Sequence, residues 1–462
     1  MNTSVSSHVF NPVLGIFFLI LIPCNAGYGQ NNFFNTINVD LENSSNSSSP
    51  LSVLGWITEK VDYSLEQPGN LFSRDDRGLS RVETSLFTQF DWQPTADLNL
   101  RFSGKAYHDE IYRIDNDTPF TGAERREFRN RFEVKDFYIE KQFDNGIYLK
   151  AGNQILAWGF AEYLRVTDII NTEDQYTFGQ QDLEDLRLQV PATLLSVSLD
   201  GWVLDGVVTY RAGFHDMAPA GDEFDQFIRL RQGNGAIHRQ TPDNPWEFFF
   251  RASTHFENGD LQIVAGDFNN NQLGLKGISR PGSTSPIFQL SQERIQALGV
   301  AANRASGSWL LFGEVGMHFN NPLMPDLAES FSRIDGWDEK DQLLGVVGIE
   351  YNGFSNTIIA LETDSIQTRN HNDGLQVKKH QLSVGTRVYW TGWNERLEFL
   401  SVWNKLADRQ GHVARVSLDY DWTDNLSFGF LWVDYNAEQD SVFYDFRNND
   451  MLQLNLRYSF QN

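Results

Sequence analysis

The sequence predicts an all-β fold: a transmembrane, antiparallel, up-and-down β-barrel of about eighteen strands, or sixteen. Two observations predict it. From residue 53 onward, segments of nine to fifteen residues alternate apolar and polar side chains, which is the period of a β-strand that meets a different solvent on each face. Short turns and longer connections also alternate along the chain, as expected for short periplasmic turns and long extracellular loops.

The last segment shows the alternation of polarity most clearly. One face carries Leu452, Leu454, Leu456, Tyr458 and Phe460, and the other carries Gln453, Asn455, Arg457 and Ser459. A β-propeller or a β-solenoid would also alternate polarity, but neither of these folds needs an apolar exterior around a polar interior. The pattern therefore favours a barrel with lipid outside and water inside.

The same pattern assigns eighteen strands, and the connections between them differ in length. The strands lie near residues 53–65, 80–93, 98–112, 128–143, 146–158, 192–199, 202–213, 246–256, 260–268, 293–304, 308–319, 341–352, 355–365, 379–391, 394–405, 411–422, 425–436 and 450–460. Connections after even-numbered strands are turn-like, whereas the longest ones, 160–191, 214–245, 269–292 and 320–340, follow odd-numbered strands. An even strand number places both chain ends on one side of the membrane, which we expect to be periplasmic.

The N-terminal region is predicted to direct export. Residues 1–30 contain no Asp, Glu, Lys or Arg and include an apolar run at 13–22, which is too short to span a hydrocarbon core of roughly 30 Å and is typical of a signal peptide. Lipid attachment at Cys24 is an alternative, although Pro23 precedes it. Residues 31–50 are rich in Asn and Ser and predict a flexible lead-in. The barrel then occupies residues 51–462, and we expect it in the outer membrane of a Gram-negative bacterium.

Composition narrows the function. The formal net charge is −24, which opposes binding to nucleic acid. Cys24 is the only cysteine, and the sequence predicts neither a cofactor nor a metal site. Aromatic residues at segment ends are expected at the lipid–water interfaces; they are Trp92, Trp246, Trp309, Trp390, Trp393, Trp422 and Tyr458.

Charged residues on the polar faces should point inward, because an Arg or Lys facing lipid near the midplane costs about 2–4 kcal/mol. The predicted pore-lining residues are Glu83, Arg101, Lys105, Asp136, Glu140, Lys150, Glu314, Glu350, Glu362, Arg387, Arg396, Glu398, Arg415, Asp419 and Arg457. Three of the arginines (Arg387, Arg415 and Arg457) and three of the glutamates (Glu314, Glu350 and Glu362) fall on different parts of the wall. Opposed charge would create a transverse field in the lumen. The alternative is that these residues pair with one another and brace the wall.

The connection at 160–191 is long for a passive linker, and long structured loops are usually functional. We expect it to fold into the lumen as a constriction or plug. The residues expected to form this constriction are Trp158, Asp168, Asn171, Glu173, Asp174 and Asp182. Its acidic residues lack the spacing of an EF-hand calcium loop.

Two short motifs in this region resemble those of a known family. Residues 151–159, AGNQILAWG, look like the Gly-x-Gln-x-x-x-Trp-Gly signature of an uncharacterised, porin-like outer-membrane family whose members are commonly encoded beside RND-type exporters of hydrophobic molecules. Residues 168–174, DIINTED, are similar to its Asp-x-x-Asn-Pro-x-Asp motif, with Thr172 in place of proline. That departure leaves open a more distant relative, such as an alginate-export-type porin. The resemblance implies a channel or export conduit for small or hydrophobic molecules, without catalytic residues.

Other functions and partners follow from the same reasoning. No Gly-x-Ser-x-Gly motif occurs, and no Ser–His pairing with an acid stands out, so we expect no enzyme activity. The alternative to a channel is a non-conducting barrel whose acidic loops bind polysaccharide or lipid. The expected partners are outer-membrane lipid and lipopolysaccharide, the barrel-assembly machinery through the C-terminal strand ending at Phe460, and a periplasmic or inner-membrane exporter.

Overall fold

The computed structural model describes residues 50–67, 77–114, 120–181, 185–228, 231, 236–278, 287–324, 338–375, 377–406, 411–438 and 444–462. The predicted signal peptide and all but the last residue of the predicted lead-in lie outside these residues. Within them, no helix is long and apolar enough to cross a membrane.

Eighteen strands form one closed antiparallel β-barrel, so the predicted fold and the predicted count of eighteen are confirmed. The first strand pairs with the second on one side and with the last on the other, which closes the barrel. The wall consists of β1 (Leu51–Ser64), β2 (Gly78–Thr95), β3 (Leu98–Asp109), β4 (Asn130–Gln142), β5 (Ile147–Gln154), β7 (Val190–Leu199), β8 (Trp202–Thr209), β11 (Glu247–Phe256), β12 (Gly259–Asn269), β15 (Arg294–Ser306), β16 (Trp309–Leu323), β17 (Asp338–Phe354), β18 (Thr357–Thr368), β19 (His380–Gly392), β20 (Leu397–Leu406), β21 (Gly411–Thr423), β22 (Leu426–Ala437) and β23 (Met451–Gln461).

The remaining elements lie in the long connections. Five short strands are β6 (Asp174–Gln175), β9 (Asp216–Met217), β10 (Ala236–Arg239), β13 (Gly274–Ile278) and β14 (Ile287–Ser291). Strands β6 and β9 pair in parallel, and β14 pairs with β10 and β13 in a three-stranded sheet. Short α-helices occupy Ile111–Ile114 and Gly122–Glu127, and a 3₁₀-helix occupies Tyr444–Phe446.

The two faces of the wall differ as the alternation requires. On β23, Leu454 is 62% exposed and Tyr458 is 52% exposed, whereas Gln453 is 2% exposed. Apolar side chains therefore cover the outside, and the polar side chains between them point into the barrel.

Most of the predicted interface aromatics lie on the outer wall at the rim formed by the short turns. Trp309 packs 4.4 Å from Tyr351 between ring centroids, and Trp422 lies 6.3 Å from Tyr420. Trp246 differs, because it lies at the opposite rim. The further members of the short-turn rim are Trp92, Trp390, Trp393 and Tyr458.

Three strands end earlier at the long-loop rim than the alternation predicts. Strand β3 ends at Asp109 and not at 112, β5 ends at Gln154 and not at 158, and β8 ends at Thr209 and not at 213. At the first of these ends, the Asp109 carboxylate accepts the N–H of Ile111 at 2.9 Å and starts a helical turn. A polar group that binds the backbone thus ends β3, even though the alternation continues.

Gly152, in the motif on β5, allows close contact with β4. Its φ is +136°, and a Cβ built there would lie 2.1 Å from the carbonyl oxygen of Phe137. Only glycine accommodates both the backbone conformation and the contact.

Replacing Gly152 with alanine should lower the free energy of unfolding by about 3 kcal/mol, because strain and overlap add. Gly201→Ala is the matched control: φ is +83° there, but a Cβ would have nothing within 4 Å, so only a conformational cost of about 1–2 kcal/mol applies. Urea unfolding of the barrel in lipid vesicles measures both. Equal losses in the two variants would contradict the close contact.

Candidate solute passage and the inner segment

Between β5 and β7 the chain leaves the wall, and we call residues 155–189 the inner segment. One buried side chain holds its two ends together. The Asn171 Oδ1 accepts the N–H of Leu156 at 2.7 Å, and its Nδ2 donates to the carbonyl oxygens of Leu188 at 2.8 Å and Gln154 at 3.3 Å. The segment therefore starts and ends at one place on the wall.

The other motif residues also support this root. Gln154 is fully buried and donates through Nε2 to the carbonyl oxygen of Ala192 at 2.9 Å, which joins β5 to β7. Trp158 is buried beneath the guanidinium of Arg251, 5.2 Å from its ring centroid. The signature thus encodes the exit of the chain from the wall into the lumen.

A carboxylate of the wall binds the first part of the inner segment. Glu314 on β16 accepts the backbone N–H groups of Phe160 at 2.5 Å, Ala161 at 2.7 Å and Thr167 at 3.1 Å. It also accepts the Thr167 hydroxyl at 2.7 Å. Glu314 is predicted to line the pore, but the segment covers it.

A second wall carboxylate continues this attachment. Glu362 on β18 accepts the N–H groups of Glu162 at 3.0 Å, Tyr163 at 2.9 Å and Leu164 at 3.4 Å. Glu362 is buried too. Hydrogen bonds to a charged acceptor contribute roughly 1.5–3 kcal/mol each, so the two glutamates fix an irregular backbone to the wall.

The arginine of β19 joins the same cluster. Arg387 Nη2 lies 2.8 Å from Glu350 Oε2, and Nη1 donates to the carboxylate of Glu162. The predicted opposition of Arg387 and Glu350 across the lumen is therefore wrong, because β17 and β19 lie on either side of β18 and the two side chains meet. Burial raises the pKa of Glu162 to about 8; Arg387 opposes this shift, and Glu362 and Glu350 add to it.

The far part of the segment is attached to other strands. Arg415 on β21 donates to the carbonyl oxygen of Gln181 at 2.6 Å, and the Tyr435 hydroxyl on β22 donates to that of Phe178. Arg415 is also covered and does not line an open lumen.

Two lysines attach the segment to the next part of the wall. Lys105 Nζ lies 2.5 Å and Lys135 Nζ lies 3.0 Å from the Asp185 carboxylate. Although burial opposes it, these lysines hold the pKa of Asp185 below its ordinary range. The inner segment thus crosses the lumen from β16 to β3.

The predicted constriction residues are buried within or beneath the segment. Arg187 Nη2 lies 3.0 Å from Asp168 Oδ2, and Arg165 forms an ion pair with Glu173 at 2.8 Å. Asp168 and Glu173, together with the buried residues Trp158, Asn171 and Asp174, therefore shape the segment itself. Asp182 lies outside the described residues.

Apolar packing, which the sequence reasoning missed, covers a large arc of the inner wall. Leu156, Ile169 and Ile170 of the segment pack against inward side chains of β7, β8, β11, β12 and β15, namely Val190, Ala192, Val207, Phe249, Val264, Phe268, Ile295 and Ala297. A second cluster joins the segment to β17 and β18. The run Phe248–Phe250 was a usable signal, because consecutive apolar residues give a strand two apolar faces.

Inward glycines let the segment approach the wall. A Cβ at Gly316 would lie 2.8 Å from Val166, and one at Gly385 would lie 2.3 Å from the ring of Tyr163. These positions have no room for a side chain while the segment is in place.

The opposite arc of the wall remains charged. A cavity of about 110 Å³ lies between strands β1 to β4 and the inner segment. Its wall bank carries Lys60, Arg81, Glu83, Tyr107, Asp109 and Arg131, and its other bank carries Asp174, Tyr176, Gln180, Asp185, Asp222 and Glu223. We call the wall side of this cavity, formed by these residues of β1 to β4, the charged bank.

Arg131 connects the two sides of the cavity. Its guanidinium lies 4.3 Å from the ring centroid of Tyr107 on the wall and 5.1 Å from that of Tyr176 on the segment. Burial raises the pKa of Asp174, on the segment side, to about 6, although Arg131 opposes this shift.

Other predicted pore-lining residues lie along the inner wall nearer the short turns. Arg101 pairs with Asp91 at 2.6 Å, and Arg457 stacks 3.8 Å from the ring centroid of Trp56. The prediction that Arg396 lines the pore is wrong, because Arg396 lies exposed in the turn between β19 and β20. The remaining inward residues of this region are Asp136, Glu140, Lys150, Glu398 and Asp419.

Comparisons with known proteins agree with this architecture. The solved outer membrane protein opdK from Pseudomonas aeruginosa is similar with a TM-score of 0.50 and 11% identity, over 89% of this chain and 99% of that chain. For OccAB1 from Acinetobacter baumannii the values are 0.51, 9%, 90% and 99%, and for OccAB2 from the same organism they are 0.52, 9%, 89% and 98%. At such identities the likeness shows the fold alone. A comparison with the curated proteins finds no match.

The family comparison is more specific. The family model described as protein of unknown function (DUF1302) matches residues 66–460. This range contains every strand of the wall except β1 and the last residue of β23. The expected membership of an uncharacterised, porin-like family is thereby confirmed, whereas its association with RND-type exporters stays a prediction. The chain belongs to the DUF1302 family.

Proposed function

We propose that this protein is a channel of the Gram-negative outer membrane, in which small polar or charged solutes pass along the charged bank. The supporting observation is the division of the inner wall. The inner segment covers the apolar arc and leaves a cavity lined by Lys60, Arg81, Glu83 and Arg131 on the wall side. Water and ions solvate such a lining, whereas an apolar lining would exclude them.

The lining of the cavity narrows the range of solutes. The cavity is lined by both signs of charge and by several aromatic rings, which favours hydrophilic or amphipathic solutes over purely hydrophobic ones. Export in concert with an inner-membrane partner is compatible with such a passage. We propose no catalytic role.

The outer wall indicates which molecules surround the barrel and which machinery assembles it. The lipid-facing apolar residues and the rim aromatics suit contact with outer-membrane lipid and lipopolysaccharide. Phe460, near the C-terminus, packs over Gly55 of β1, where a Cβ would lie 2.6 Å from its ring. We propose that the barrel-assembly machinery binds this last strand before it closes on β1.

One observation favours the second candidate, a non-conducting barrel that binds polysaccharide or lipid through its acidic loops. The inner segment is attached at many points from β16 to β3, so it does not resemble a loosely held lid. Planar-bilayer recordings of the folded, heat-modifiable protein separate the two functions. Discrete conductance steps support the channel, and silence supports the non-conducting barrel.

Cysteine labelling tests the path of the solute. In a Cys24→Ser background, Ser80→Cys places a thiol at the cavity, and a charged methanethiosulfonate reagent should reduce conductance in single steps. Ala297→Cys is the matched control, since it faces inward on β15 but is buried under the inner segment. Equal block in both variants, or block in the control alone, would contradict a passage along the charged bank.

The two wall glutamates should keep the passage narrow. In the double variant Glu314→Ala/Glu362→Ala, displaced positions of the inner segment should be populated at least tenfold more, because the loss of even one of the charged hydrogen bonds to these carboxylates costs roughly 1.5–3 kcal/mol. Conductance and current noise should both rise in bilayers. Glu140→Ala, which changes an inward glutamate that bonds Tyr148 and Asn99 but not the segment, should leave the current noise unchanged.

A rise in pH toward 8 should loosen the segment through Glu162. Its pKa is raised from an ordinary 4.5 to about 8, so its contribution to stability is complete below about pH 4.5 and is lost as the pH rises through 8. Current noise should increase as the pH rises from about 5 to about 8 and should change little above that. Glu162→Gln, which cannot ionise, should remove that increase, and an unchanged pH response in this variant would show that another group is responsible.

A further inference from the structure

The wall of the barrel has a notch beside the upper part of β4, toward the long connections. Strand β4 begins at Asn130, but β5 pairs only with its residues 137–142. With eight residues each, β5 and β8 are also shorter than the roughly 9–11 residues that a tilted strand needs to cross a membrane. Among the described strands, residues 130–136 of β4, about 20 Å of chain, therefore pair with β3 alone.

The edge of β4 at this notch lies at the height of the hydrocarbon. Phe132 is 67% exposed and Val134 is 47% exposed on the outer face, as expected of side chains in lipid. Asn153 Nδ2 donates to the carbonyl oxygen of Lys135 at 2.6 Å and to that of Val134 at 3.4 Å, and no other described group bonds to the backbone on this side of β4. Unpaired backbone at membrane depth is tolerated only where protein buries it or where it lines a water-filled cavity.

The notch is closed on its other sides, so that it forms an opening. Its floor is the root of the inner segment, where Gln154 of β5 pairs with Val190 of β7. Its roof is a contact in which the Thr121 hydroxyl donates to the carbonyl oxygen of Ala220 at 2.8 Å. This contact joins the connection before β4 to the connection after β8. We call the opening between β4, the floor and the roof the side window.

Charged side chains line the inner side of the same stretch of β4. Arg131 Nε lies 2.8 Å from Glu133 Oε1, and Lys135 Nζ lies 2.7 Å from Glu133 Oε2. Arg131 also lines the cavity, so the side window and the cavity share this stretch of wall. The side window therefore has an apolar outer edge and a charged inner edge.

We infer that the side window exchanges single-chain amphiphiles between the lipid and the cavity, with the polar head inside and the apolar chain outside. The head would lie against Arg131 and Glu133, whose opposite charges suit a charged or zwitterionic group, and the chain would lie against Phe132 and Val134. The inference names a solute class for the channel and, as regards transport, rests on that proposed function. Binding at the side window needs only a folded barrel in a membrane.

Thiol reactivity tests whether water reaches the outer edge of the side window. In the Cys24→Ser background, Val134→Cys and Leu298→Cys both face outward, four residues from the long-loop end of their strands. Leu298 is the matched control, because β15 is paired on both sides there. In lipid vesicles, a charged methanethiosulfonate reagent should modify Val134→Cys roughly tenfold faster or more, because hydrocarbon suppresses the reactive thiolate. Equal rates would overturn the inference.

Fluorescence quenching follows an amphiphile itself. In the same background, Thr177→Cys carries a bimane fluorophore into the cavity. The probe is stearate in the vesicle membrane, with a nitroxide either beside the carboxylate or at the end of the chain. If the head enters and the chain stays outside, the first form should quench the cavity fluorophore several-fold more than the second. Bimane on Leu298→Cys, which faces lipid, should be quenched by both forms.

The outcomes separate the side window from the channel. Equal quenching of the cavity fluorophore by the two forms, or quenching by neither in protein that heat-modifiability shows to be folded, would refute the side window. The expected difference in a barrel that is silent in planar bilayers would support the side window while refuting the channel.

Discussion

The structure depends on how an irregular chain is held inside a barrel. The inner segment leaves the wall without extended regular structure, so its backbone N–H groups need acceptors that neither a helix nor a sheet ladder supplies. Glu314 and Glu362 provide them, each binding three N–H groups of residues 160–167. A wall carboxylate whose lone pairs are filled in this way also avoids the cost of an unpaired buried charge.

This attachment explains the composition of the interior. Once the segment is fixed, the wall beneath it is shielded from water, and Val207, Phe249 and Val264 become core residues although they face the lumen. Along the arc from β1 to β4 the segment binds through Asp185 and leaves a cavity, and the inward residues of this arc stay charged. The cavity and the core beneath the segment therefore both result from the entry of the segment into the lumen.

The sequence predicts the wall better than the interior, for a physical reason. Outward residues meet one solvent, lipid, all around the barrel, so the alternation of β23 or β21 identifies strands reliably. Inward residues meet two environments, water and the segment, and hydropathy does not distinguish Val264, which packs on the segment, from Ile263, which faces lipid. Likewise Asp168 and Asn171 are acidic and polar like constriction residues, but only the folded chain shows that their partners are Arg187 and the ends of the segment.

The arrangement of charge follows the same logic. Sequence position suggests that arginines oppose glutamates across a wide lumen. In the structure, Arg387 forms ion pairs with both Glu350 and Glu162. These charges therefore neutralise one another and attach the segment to the wall. The opposition that remains is across the cavity, where Lys60, Arg81 and Arg131 on the wall face Asp174, Asp222 and Glu223. Of these acidic residues, Asp174 belongs to the inner segment, so the position of the segment contributes to the field in the passage that we propose. We therefore propose that the groups that anchor the segment set both the width and the electrostatics of the passage.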